Sequence, residues 1–415
     1  MGLSLRRAVG SLLVVGVEGA ELSGLERAWM RVVQPGGVIL FRRNIQDAKQ
    51  TRALLDEATE LCARNAFRCV DVEGGTVDRL RDALAGMPSA QSVARADRGS
   101  SSPTHAQRAR MDGAPGISSS PKIQKSPRSQ KRDLGHPGSF ARMHGELIGR
   151  GVRAFGFNTT LAPVLDLGLP ESADVMGSRT AGTIAEEVIT YAREFLDGLK
   201  GQGVAGCGKH FPGLGGGRLD SHFDTPRIER DFETMDREDL STYRSLARQL
   251  PMVMVNHAAY PKTRGGDMPA TASSFWIEEV LRKRIGYRGI VFSDDLEMGG
   301  ILKRMPMEEA AVAAIRAGMD TVEICHSPEL ILRAYEGLLR EAERSAAFRR
   351  IVEARSRDVV RKRARLFGAG VGKALTQAQF ESLRRKITDF REKVTAVAGE
   401  QVQEPKPQAS VVESA

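Results

Sequence analysis

Residues 204–222 read Val-Ala-Gly-Cys-Gly-Lys-His-Phe-Pro-Gly-Leu-Gly-Gly-Gly-Arg-Leu-Asp-Ser-His. A short apolar run ends in two basic side chains, Lys209 and His210, and the chain then meets Gly213, Gly215, Gly216 and Gly217. This is the pattern of a buried strand that presents ionisable groups at its C-terminal end and leads into a pliable loop. The loop carries Asp220 and His222, and an extended segment points residues two apart to the same side. A carboxylate beside an imidazole holds one tautomer and favours the protonated ring, which suits the pair to deliver a proton over a bound ligand.

Working outward, similar apolar runs recur at 11–17, 37–41, 67–72, 159–165, 252–256, 290–293 and 321–325. Helical periodicity fills the intervals, as at 186–200, where Val188, Tyr191, Ala192, Phe195 and Leu199 share a face. Another such segment, 277–285, is stopped by Gly286, and a third, 307–317, by Gly318. Eight strand–helix alternations predict an α/β fold of the (β/α)8, TIM-type barrel class. A doubly wound sheet would carry a glycine-rich phosphate turn after its first strand, and Gly16-Val17-Glu18-Gly19 is not that turn. The expected organisation is a barrel over 1–335, a helical extension over 336–397 and a disordered tail over 398–415. Within the extension and its approach, 328–367 reads as amphipathic helix packing outside the barrel.

A net charge of +9 raises the question of a nucleic-acid partner. Much of the excess lies in 95–138, where Arg95, Arg98, Arg108, Arg110, Lys122, Lys125, Arg128, Lys131 and Arg132 sit among Ser, Pro and Gly. With no aromatic there to stack bases, the segment is read as a disordered, solvated insertion, and neither nucleic acid nor a membrane is expected as a partner. Cys62, Cys69, Cys207 and Cys325 lack metal-ligand spacing and read as reduced core thiols of a cytoplasmic protein. No A-x-A-like cleavage site follows the apolar start, so 11–17 is taken as a first buried strand rather than a secretory signal.

In a barrel of this class the active face lies at the C-terminal strand ends. Those ends hold Asp71 and Glu73, Asp166, Lys209 and His210, Asn256 and His257, Asp294 and Asp295, and His326. So many ionisable groups on one rim point to chemistry rather than stability. Carboxylates, basic groups and a mobile loop suit a polyhydroxylated substrate, which needs many hydrogen-bond partners.

At these residues the chain resembles glycoside hydrolase family 3, in particular its single-barrel bacterial β-N-acetylglucosaminidases. The resemblance is carried by Lys209-His210-Phe211-Pro212-Gly213-Leu214-Gly215 with Asp220-Ser221-His222, and by Val70-Asp71-Val72-Glu73-Gly74-Gly75 with Arg79. Ala162-Pro163-Val164-Leu165-Asp166, Gly177-Ser178-Arg179 and Phe292-Ser293-Asp294-Asp295-Leu296 extend it. Many members have His where Leu214 stands, and Leu also fits the pattern.

The resemblance implies a retaining exo-β-N-acetylglucosaminidase acting through a covalent glycosyl-enzyme, with no metal or organic cofactor. Asp294 would be the nucleophile, His222 the acid/base and Asp220 its partner; Asp71, Arg79, Arg179, Lys209 and His210 would bind the terminal sugar. Asp295 is read as an orienting or capping residue. His257, His326 and Asp166 are balanced between structure and substrate contact, and Phe275 and Trp276 are read as packing. The family's place in peptidoglycan recycling implies muropeptide substrates and a monomer in the cytoplasm. The alternatives are a glycoside phosphorylase or β-glucosidase of the same family, or a non-catalytic sugar-binding barrel. The β-glucosidase reading wants a second domain that supplies a glutamic acid, for which this chain leaves no room.

Overall fold

The computed structural model describes residues 4–100, 139–217 and 225–399. Asp220 and His222 therefore lie outside the described residues, as do 101–138 and 400–415.

Eight parallel strands close on themselves: β1 (Leu13–Val15), β2 (Gly37–Leu40), β3 (Phe67–Val70), β4 (Thr159–Thr160), β5 (Ala205–Phe211), β6 (Met252–Val255), β7 (Ile290–Asp295) and β8 (Thr321–Ile324). Each pairs with its sequence neighbours, and β8 pairs with β1 to complete the ring. All eight expected strands are present, mostly shorter than their apolar runs. The first run begins later than expected because residues before it form the helix Leu5–Gly10, capped by Ser4. In the fourth, Pro163 has no N–H to give a ladder, although its carbonyl still accepts from Lys209.

Strand alternation divides the molecule into two cores. Inside the barrel lie Val14, Ile39, Phe67, Cys69, Leu161, Ala205, Cys207, Met252, Met254, Ile290, Phe292 and Cys325. The outward residues of the same strands pack under the surrounding helices. The four cysteines are free, and three are fully buried. Among the described residues, no helix is long and apolar enough to cross a membrane.

Two expectations need correction. Residues 95–100, assigned to the disordered insertion, continue the helix Ala90–Ser100. Val93, Ala94 and Ala96 are buried there, and Asp97 accepts the backbone N–H groups of Phe140 and Ala141 at the start of helix Phe140–Ala154. The second concerns helix Ala346–Phe367, which does not stay outside the barrel. Its Val359 and Phe367 join the inner core, and the Phe367 ring meets Phe67 edge-on at 5.5 Å. Arg363 lies over the Phe67 ring, 5.6 Å from its centroid, and donates to the Gly36 carbonyl. Since Gly36 and Phe67 lie at the N-terminal ends of β2 and β3, this helix plugs the bottom of the barrel. Asp320, just before β8, anchors it through Arg355 at 3.3 Å and Lys362 at 3.5 Å. The last helix, Gln377–Ala398, then packs on helices Ala90–Ser100 and Phe140–Ala154, with Phe390 against His144.

The plug leads to a stability prediction. Phe367→Ala should lower unfolding free energy by about 3 kcal/mol through lost burial and a cavity at the barrel floor. Urea denaturation measures this, and an unchanged midpoint would mean that the helix does not close the barrel.

Candidate active site

The inward faces of four strands share one pattern. Phe67 and Cys69 precede Asp71, Ala205 and Cys207 precede Lys209, Met252 and Met254 precede Asn256, and Ile290 and Phe292 precede Asp294. Two apolar layers thus support a polar layer at the C-terminal mouth, where a barrel opens to its ligand. After β3 the chain makes a short hairpin, Val72–Gly74 with Val77–Asp78, which brings Glu73 and Arg79 to the same mouth.

Lys209 holds this mouth together. Its ammonium is 2.7 Å from Asp71 Oδ1 and 2.7 Å from Glu73 Oε1. Arg179 reaches Glu73 from the other side with a two-pronged contact, Nε to Oε2 and NH2 to Oε1, both 2.9 Å. Two carboxylates and two cations therefore cancel in charge. Burial works against ionising Glu73, but Arg179 and Lys209 outweigh it and hold its carboxyl well below the usual range. Burial likewise opposes the Lys209 charge, and Asp71 and Glu73 hold its pKa well above the usual lysine range.

A second cluster adjoins the first. Asp166 Oδ2 accepts His210 Nδ1–H at 2.7 Å and the His210 backbone N–H at 3.0 Å, while Oδ1 accepts the Leu214 N–H at 2.7 Å. With Nδ1 so held, Nε2 is the nitrogen left for a ligand. Asn256 donates to the His210 carbonyl and to the Tyr260 hydroxyl, which fixes the backbone beneath. Asp166 is thus a structural orienter, resolving the balance left by the sequence.

The adjacent aspartates of β7 are set apart by their surroundings. Burial raises the Asp294 pKa, but His210, His257, Lys209 and the Asp295 N–H outweigh it, so the carboxyl stays below its ordinary value. Burial and then Glu297 push Asp295 well above the carboxylate range. Asp295 accepts the Glu297 N–H at 3.0 Å, a turn-forming role. His257 is fully buried, with Nε2–H donating to the Asp295 carbonyl at 2.9 Å and Nδ1 at 2.7 Å from the Thr271 hydroxyl. It therefore supports β7 from within the protein. His326 packs against Phe41 with the rings tilted by 37°, and Trp276 is buried among Phe211, Phe232, Tyr260 and Phe275.

The structure brings Asp71, Arg79, Arg179, Lys209, His210 and Asp294 to one end of the barrel. Glu73 belongs with them, and its same-side spacing from Asp71 was a signal for it. Asp295, Cys325 and His326 offer metal-donor atoms within 4.8 Å of one another. However, the Cys325 thiol already bonds Asp295, and Arg43 and Arg79 place positive charge beside His326. That surrounding does not suit a resident cation.

The model for the glycosyl hydrolase family 3 N terminal domain matches residues 4–361. The chain belongs to glycosyl hydrolase family 3. This family 3 chain is 36% identical over 320 residues to a beta-hexosaminidase of Alkalilimnicola ehrlichii, covering 77% of the chain and 82% of that relative. A beta-hexosaminidase of Tolumonas auensis is 34% identical over 328 residues, covering 79% and 86%. A solved family 3 beta-N-acetylglucosaminidase from Paenibacillus sp. superposes with a TM-score of 0.75 at 29% identity, over 94% of this chain and 69% of that one. NagZ from Neisseria gonorrhoeae, solved with N-trifluoroacetyl-D-glucosamine, shares the fold at a TM-score of 0.69 and 24% identity, over 93% and 98% of the two chains.

As a family 3 glycoside hydrolase, the protein should depend on Glu73 for the integrity of this mouth. Glu73→Gln leaves Arg179 and part of the Lys209 charge uncompensated and should cost about 3–5 kcal/mol at pH 7. A carboxyl depressed in the folded state stabilises above its unfolded pKa, and that contribution drains away as pH falls toward the folded value. The gap between wild type and Glu73→Gln in urea unfolding should therefore narrow steadily below about pH 4.5. A gap that stays constant into acid would contradict the charge pairing.

Proposed function

We propose that the protein is a retaining, exo-acting β-N-acetylglucosaminidase that releases terminal β-linked GlcNAc. The observation that carries this reading is the place of Asp294 on the inward face at the C-terminal end of β7, one layer past Phe292, while its neighbour Asp295 is engaged by the Glu297 N–H. Neighbouring carboxyls with opposed pKa shifts have different roles, and the ionised one stands at a strand end facing the barrel mouth. An ionised carboxylate there can attack an anomeric carbon, stabilise its oxocarbenium-like transition state and later depart from the glycosyl-enzyme.

The mouth supports a sugar ligand through the polar capacity left after its internal pairs. Lys209 has a third N–H, Asp71 its second carboxylate oxygen, Arg179 its remaining amino group and His210 its Nε2. Arg79 is buried, and its Nε has no hydrogen-bond partner among the described residues. That Nε is enclosed, so a ring hydroxyl would meet the outer guanidinium nitrogens of Arg79 instead. The beta-hexosaminidase and beta-N-acetylglucosaminidase relatives support N-acetylhexosamine as the sugar.

For proton transfer we assign His222, with Asp220 as its partner. His222 lies three residues before Thr225, whose hydroxyl donates to the Gly300 carbonyl at 2.6 Å in the segment that follows β7. In the first step His222 would protonate the leaving oxygen while Asp294 attacks. In the second it would take a proton from the water that displaces Asp294, so the sugar keeps its anomeric configuration. Muropeptides of peptidoglycan recycling, a cytoplasmic setting and a monomeric state are proposed on the motif resemblance.

Two variants test the roles on nitrophenyl β-GlcNAc and on a GlcNAc–anhydro-muramyl disaccharide. Asp294→Ala should abolish turnover of both. His222→Ala should lose roughly 10²–10⁴-fold on the disaccharide, the scale of general acid catalysis, and far less on the activated nitrophenyl leaving group. Equal losses on the two substrates would remove His222 from the acid role. A first-released α-anomer, seen by NMR, would overturn retention.

A further inference from the structure

β8 breaks the layered pattern of the other strands. Its inward residues are Thr321, Glu323 and Cys325, so a carboxyl occupies a middle layer that Cys69, Cys207, Met254 and Phe292 fill elsewhere. Glu323 is 2% exposed, and its Oε1 has no hydrogen-bond partner among the described residues. Its backbone is fixed: the N–H donates to Ser293 Oγ at 3.0 Å, and Val14 of β1 is its register partner. The charged groups facing it are Asp71 from the end of β3, Lys209 from β5, and Asp294 and Asp295 from β7. The thiols of Cys69, Cys207 and Cys325 complete its surroundings.

A stability role explains this poorly. The layer is apolar, a leucine would fill it, and an unpaired carboxyl there is costly. An ionised Glu323 would add a negative charge beneath Asp71 and Asp294 at low dielectric, opposing the charge on Asp294. As an uncharged acid it has an O–H to donate, and the acceptors above it are carboxylates. Burial, reinforced by Asp71, Asp295 and Asp294, pushes its carboxyl well above the ordinary range, with Lys209 opposing.

We propose that Glu323 is a positioning residue for the nucleophile: an uncharged carboxylic acid in the middle layer of the barrel that supports Asp294 as a carboxylate without touching the sugar. The inference rests on the reading of Asp294 as the nucleophile. Support from below favours the carboxylate over its ester, so it promotes departure of Asp294 from the glycosyl-enzyme more than sugar binding. Loss of Glu323 should therefore lower kcat and KM together and leave kcat/KM, which reports the first step, nearly unchanged.

The test uses the full-length enzyme with Glu323→Leu and Glu323→Gln. Infrared difference spectra at neutral pH, in H₂O and D₂O, should show the C=O stretch of a protonated, buried carboxylic acid in wild type that is absent from Glu323→Gln. Glu323→Leu should fold with a urea midpoint at or above wild type, since it makes the layer apolar. Its kcat on nitrophenyl β-GlcNAc should fall roughly tenfold, the scale of one hydrogen bond to a charged group, with KM falling alongside it and kcat/KM within about twofold. Glu323→Gln, uncharged and able to donate, should recover several-fold of that loss. Absence of the acid band, or full kcat in Glu323→Leu, would overturn the proposal. The band is read without turnover and Asp294→Ala is scored separately, so failure of the nucleophile assignment is distinguishable from failure of Glu323.

Discussion

Lys209 sits between two carboxylates in a place where none of the three could remain charged alone. Moving an isolated ion from water into such a site costs several kcal/mol even after relaxation, and mutual attraction repays this only when geometry is close. Here the contacts are 2.7 Å on both sides of the ammonium, and the pair is completed by a two-pronged arginine. The four groups come from separate parts of the chain: the end of β3, the hairpin after it, β5 and the turn at Gly177–Arg179. Their charges balance only once the barrel has closed, so the polar mouth is a consequence of the tertiary fold. The same network that makes the mouth tolerable to the protein leaves donors and acceptors aimed outward, which is what a hydroxyl-rich ligand requires.

The barrel was legible because its strands are buried on both faces. Such strands read as continuous apolar runs, and each run here is followed by a residue that water or a ligand must satisfy. Strand ends were less legible, since pairing stops where a proline removes a donor, as at Pro163, or where a helix captures the first residues, as at Leu5–Gly10. The bottom plug was visible only as a stripe. Val359, Arg363 and Phe367 recur every four residues, which predicts a buried helix face but not which surface it meets. Arg95–Ser100 were misassigned because charge dominates composition there, while Val93, Ala94 and Ala96 anchor the face that matters.

The site was legible in its members and less so in their division of labour. Strand-end position and motif spacing named Asp71, Arg79, Arg179, Lys209, His210 and Asp294. Glu73 was noted at its strand end but not assigned, because sequence does not reveal that one glutamate will neutralise two cations. Asp166 and His257 were undecided for a related reason. Both are polar, buried and near the mouth, and only their hydrogen bonds show that one orients His210 and the other braces the backbone of Asp295.

Four carboxyls around the barrel mouth thus take different states from their surroundings. Asp71 and Glu73 are paired with cations, Asp294 is held ionised by nearby positive charge, and Asp295 is driven toward its neutral form by burial and Glu297. Glu323 belongs to the same series at a deeper level. The distance of each carboxyl from compensating charge, and not its chemistry, decides its state, because desolvation acts on all of them alike. A parallel barrel suits this arrangement: strand alternation sets depth in steps of two residues, and eight strand ends supply neighbours from sequence positions far apart. One step along β8 toward the mouth would bring the acid nearer Lys209 and Arg179, and beside those cations the carboxylate would become its favoured form.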